Sequence, residues 1–115
     1  MPGIINTTPT DLCKAIIGYV LASFLPPGTG AIKTKLTDFI FNICKEHIDS
    51  PKTYFENLSY EEQNFISQHV ISLKKTFQKL TKEIKVLGYF KITIMDKKVA
   101  DEWIKFFDNF KTHTY

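Results

Sequence analysis

The side chains of this chain that could do chemistry are the thiols Cys13 and Cys44, the imidazoles His47, His69 and His113, and the adjacent carboxylates Glu61 and Glu62. Their spacing narrows that chemistry. Residues 26–30 read Pro-Pro-Gly-Thr-Gly, a turn sequence, and a helical hairpin turning at Gly28 sets Cys13 level with Cys44. Two such thiols in a reducing compartment read first as small side chains packed at a helix interface and second as a disulfide. A metal site built from Cys13, Cys44 and His47 is the third reading, but the fourth ligand of a tetrahedral ion is not apparent. No serine or cysteine stands beside a histidine in the pattern that activates a nucleophile. Glu61 and Glu62 follow Ser59 at the spacing of a helix capping box, which accounts for them without acid–base catalysis. The expectation is a chain that is not an enzyme and has no catalytic, cofactor-binding or metal-ligating residues.

The turn shares its wording with a phosphate-binding loop but not its pattern. That motif needs a glycine where Leu25 stands and a lysine where Ala31 stands, between a strand and a helix. No small-molecule substrate is indicated. All 15 basic residues are lysines, so the planar fork that reads phosphate or guanine bidentately is missing and specific DNA recognition is disfavoured. Lys75, Lys79 and Lys82 line one flank of a helical segment, with Lys74, Lys85 and Lys91 nearby and Glu83 interrupting. The plain reading is a solvated face; the functional one is a stripe for RNA, an anionic membrane or an acidic protein. Aromatic residues do not interleave with it as a base-stacking surface requires. Trp103, Phe106, Phe107 and Phe110 read as core, with a partner-binding anchor as the sharper alternative.

Helices must position these groups. Pro9, Thr10 and Asp11 favour a helix start, and a first helix is expected over residues 10–25, apolar on all sides until Pro26 and Pro27 stop it. A second helix over residues 31–47 carries Ile32, Leu36, Phe39, Ile40 and Ile43 on one face. Ser50 and Pro51 then open a short helical turn through residue 57. Ile66, Val70, Leu73, Phe77, Leu80, Ile84 and Leu87 recur at steps of four and three, the narrow seam of one long helix from Ser59 to a stop at Gly88. Residues 89–95 alternate like a strand without an evident second strand, and are expected to be an extended connector, with residues 3–6 as a candidate pairing partner. Asp96 caps a last helix to residue 110, on which Val99, Trp103, Phe106 and Phe110 repeat the four-three spacing.

The expected fold is therefore all-α: a compact bundle of four to five helices with an N-terminal helical hairpin and one long heptad-patterned helix. A chain of 115 residues with 43% hydrophobic residues makes one domain, with residues 1–8 and 111–115 as loose ends. The apolar stretch 15–25 is too short to span a bilayer, and its flanks do not make a secretory signal, so a cytoplasmic location is expected. A net charge of +3 is modest. The leading functional expectation is a non-catalytic protein-binding module, such as an immunity-type, inhibitory or assembly-forming subunit acting by stoichiometric association with another protein or itself. The rivals are a peripheral membrane-binding or pore-forming protein using the hydrophobic hairpin, and a sequence-independent RNA-binding subunit using the lysine stripe.

Overall fold

A computed structural model describes residues 9–86 and 90–110. It is a predominantly helical fold with a small antiparallel sheet, in the order α1 (Pro9–Ala22), α2 (Gly30–Glu46), α3 (Pro51–Glu56), α4 (Tyr60–Ser67), α5 (Val70–Leu80), β1 (Ile84–Val86), β2 (Phe90–Ile92) and α6 (Lys97–Asp108). The N-terminal hairpin forms as its turn residues require. Gly28 takes φ 81°, a conformation costly for residues with a Cβ, and Thr29 Oγ1 closes the loop by donating to the Pro26 carbonyl at 2.7 Å. α2 ends at His47 in the left-handed region, φ 51°, where the His47 and Ile48 amides donate back to carbonyls of the last turn. Proline at its first turn starts α3, but the Ser50 side chain does not cap it.

The long seam helix does not form, and this is the main correction to the sequence reading. It divides into α4 and α5 at Gln68 and His69, so six helices replace the expected four to five among the described residues. His69 leaves helical geometry at φ −122°, ψ 25° although no glycine or proline is near. A long-range bond follows directly after the break: Ser72 Oγ donates across 2.8 Å to the Phe24 carbonyl at the end of the first hairpin arm, while the His69 ring meets Phe65, four residues earlier, at 5.1 Å between centroids. The break lets α5 lie on α1 and α6 while α4 stays over α2 and α3. The second departure follows Leu80. Ile84 and Val86 pair antiparallel with Ile92 and Phe90, so Ile84 leaves the helical seam and the missing second strand lies inside the segment expected to be helix. The Met95 amide donates to the Leu80 carbonyl at 3.1 Å, satisfying one of the carbonyls orphaned where α5 stops. Leu87, Gly88 and residues 3–6, to which the seam, the helix stop and the alternative pairing were assigned, lie outside the described residues.

One apolar core joins Ile17 and Leu21 of α1, Leu36, Ile40 and Ile43 of α2, Ile66 of α4, Leu73, Phe77 and Leu80 of α5, and Val99, Trp103 and Phe107 of α6. From Ile66 to Leu80 the expected seam is therefore buried. Trp103 sits at its centre, edge-on to Phe39 at 5.5 Å and to Tyr54 at 5.9 Å, with its indole N–H donating to the Ile48 carbonyl at 2.9 Å. Lys74 and Asp108 form an ion pair that ties α5 to α6. No helix among the described residues is long and apolar enough to cross a membrane.

Candidate functional site

Cys44 lies on the half-buried flank of α2, and both cysteines are free thiols. Burial first, and then the proximity of Cys13, push the Cys44 thiol up to about 12. The two thiols therefore sense one another electrostatically across the hairpin. That environment makes Cys44 a poor nucleophile, because the thiolate is the reactive form. His47 is exposed at the helix end. Burial lowers the pKa of His69, so its imidazole favours the neutral form. No group of three or more His, Cys, Asp or Glu among the described residues is placed to hold a metal ion; His113 lies outside them.

The aromatic anchor expected on the last helix is divided by the fold. Trp103 and Phe107 are 0% exposed, so neither offers surface to a partner of the folded chain; the core reading holds for these two, and the partner-anchor alternative is corrected there. Phe106 and Phe110 are half-buried and close a cluster with Phe55, at 5.3 Å and 5.2 Å between ring centroids. The physical reason is periodicity: Val99, Trp103 and Phe107 share one helical face at steps of four, and that face is the one α5 covers.

Lys75, Lys79 and Lys82 are exposed along α5 and the turn after it. The hairpin adds two more cations in a way the helical reading missed, because Lys85 and Lys91 are direct cross-strand partners and both are exposed. Like charges directly opposite in a two-stranded ribbon repel. Ile71, 70% exposed, is on the outward face of the same helix as Lys75.

Sequence reasoning missed a cleft of about 310 Å³ between α2, α3 and α4, one of several surface hollows and one lined by three aromatic side chains. Its floor is apolar and mostly aromatic: Phe39, Tyr54, Leu58, Phe65 and Ile66. Its rim carries Lys35, Asp38, Glu61 and Glu62. Local bonding sets these residues in place. The Glu62 amide donates to Ser59 Oγ at 3.1 Å and the Ser59 amide to Glu62 Oε1 at 3.0 Å, the reciprocal capping box expected from the sequence. Gln63 Nε2 donates to the carbonyls of Phe55 and Leu58 at 2.9 Å and 3.2 Å, fixing the end of α3 against the start of α4. Lys35 Nζ stands 4.9 Å from the centre of the Phe65 ring, a cation–π contact at the cleft mouth. The Tyr54 phenol is held above its ordinary value by burial first, and then by the carboxylates of Glu62 and Glu46. Tyr60, the chain neighbour of the cleft residue Glu61, is 81% exposed. The only sequence signal for the cleft was the capping box; the rest needed three helices to be placed against one another.

Comparison with known proteins found no matching family model, no matching curated protein and no matching solved structure.

Proposed function

We propose that the protein is a non-catalytic binding module that works by stoichiometric association with another protein, using the cleft between α2, α3 and α4 rather than the aromatic face of α6. The cleft carries this reading: an aromatic floor reaches solvent inside a charged rim, the arrangement in which a partner side chain can be desolvated while the surrounding polar groups set its orientation. Tyr60, next in the chain to Glu61 of the rim, is an exposed amphipathic ring of the kind that contributes strongly to interfaces. An immunity-type, inhibitory or assembly-forming role fits such association, and a second copy of the chain is one partner it could take. A photo-crosslinking side chain placed at position 60 is expected to give one discrete protein adduct, and the same group at position 75 none. An adduct from position 75 alone moves the interface to the lysine face.

The opposed pair Lys85 and Lys91 favours a second reading, in which RNA or an anionic membrane binds the face formed with Lys75, Lys79 and Lys82 and relieves their repulsion. It predicts binding that weakens steeply with salt. A membrane reading based on the N-terminal hairpin has less support, because Ile17, Val20 and Leu21 are committed to the core.

A further inference from the structure

The charge around the cleft runs against that of the chain. The protein as a whole is +3, yet three carboxylates, Asp38, Glu61 and Glu62, face one lysine across the cleft mouth. That lysine is not held by them in an ion pair among the described residues; Lys35 places its ammonium over the Phe65 ring at 4.9 Å. Asp38 is paired outward with Lys14 at 3.3 Å, and Glu61 has no ion-pair partner among the described residues. Aromatic faces below and carboxylates above make a site for a cation on an apolar stem: the stem gains from the floor, and the charge gains from both the ring quadrupole and the rim. Lys35 already uses that site from within the chain. Lys14 offsets Asp38 and the Ser59 amide holds Glu62, so an anionic guest would meet a rim that is negative chiefly through Glu61 and Glu62, and a neutral one would leave that field unused.

Resting on the protein-binding reading above, we infer that the cleft accepts a lysine or arginine side chain of a partner protein, which takes the place of the Lys35 ammonium over Phe65 between Glu61 and Asp38.

The test uses the full chain and two probes of matched size, 2-phenylethylamine and 3-phenylpropionate, followed by amide chemical shifts. The amine is expected to move Phe39, Tyr54, Leu58 and Phe65 saturably, and the carboxylate to leave them unmoved. Removing rim charge with Glu61→Gln and Asp38→Asn together should weaken the amine about fivefold, as two partly exposed charge interactions allow. Lys35→Met should tighten it several-fold, because the internal competitor is gone; a merely structural role for Lys35 predicts no gain. Equal response to both probes, no response at the cleft, or weaker amine binding in Lys35→Met overturns the inference. Recovery of a stoichiometric partner from native cell extract separates the two levels. A partner retained undiminished by the Glu61→Gln, Asp38→Asn chain overturns the cleft assignment and leaves the protein-binding reading standing. A cleft that binds the amine in a chain with no stoichiometric partner overturns that reading, and with it the partner side chain inferred here.

Discussion

Single side chains in this protein are held in environments that change their chemistry, and two of them yield direct predictions. Thr76 is wholly buried on α5, and its hydroxyl oxygen finds no hydrogen-bond partner among the described residues. Valine has the same shape without the unsatisfied group, so Thr76→Val should stabilise the fold by about 1 kcal/mol, seen as a higher denaturant midpoint at unchanged slope. A lower midpoint would mean that the hydroxyl is satisfied in solution. Cys44, with its pKa raised to about 12, should resist iodoacetamide at pH 8 in the native protein and react once the chain is unfolded. The same shift links to stability. Below the unfolded-state value of 9.0 both states hold the proton and the contribution is complete; above it the unfolded chain ionises first, so stability falls as pH rises from 9.0 towards about 12. In Cys44→Ala that part of the alkaline loss should be absent.

At the scale of elements, the hairpin β1–β2 is the least predictable piece and the most readily perturbed. Ile84, packed against the core, shares a face with its half-buried partner Ile92, and the exposed Lys85 and Lys91 share the other. Lys85→Glu replaces repulsion with attraction and should slow amide exchange in the strands, with a gain of a few tenths to about 1 kcal/mol, largest at low salt. If an anionic partner uses the lysine face, the same change removes its binding, so the exchange and binding measurements move in opposite directions. Faster exchange would show that the strands are not paired in this register. The caps are more conventional. Asp96 Oδ2 accepts from the amides of Lys98 and Val99 at 3.1 Å and 3.4 Å, and Asp96→Ala should cost about 1 kcal/mol by loosening the first turn of α6, measured by thermal melting.

Across the whole molecule, one core couples the N-terminal hairpin, α5 and α6, so damage at its centre should be felt as global unfolding. Trp103 is the test: it fills the space between Phe39, Tyr54 and Phe77 and donates the hydrogen bond that holds the loop after α2. Trp103→Ala should cost about 3–5 kcal/mol, enough to unfold a domain of ordinary stability. Trp103→Phe retains most of the apolar volume but leaves the Ile48 carbonyl without its donor, and should fall between. If Trp103→Ala melts like the parent while losing only partner binding, the indole belongs to an interface and the core described here is wrong.

The amino-acid sequence by itself determined what is governed by neighbours along the chain. The Pro-Gly turn, the capping box at Ser59 and Glu62, the Asp96 cap, and the buried faces of α2 and α6 all depend on residues within four positions of one another. The alignment of Cys13 with Cys44 follows from the same hairpin. Tertiary structure alone decided what local pattern left open. Steps of four and three through Leu80, Ile84 and Leu87 fit a helix, yet Ile84 and Val86 also fit a strand, and the choice fell to partners eight and four residues away, Ile92 and Phe90, together with the Met95 bond to Leu80. The break at His69 is followed by the bond from Ser72 to Phe24, distant in the chain, and the cleft needed three helices that carry few cleft signals individually. Periodicity reports which side chains seek burial, but which surface buries them, and what concavity is left over, is set by packing between segments distant in the chain.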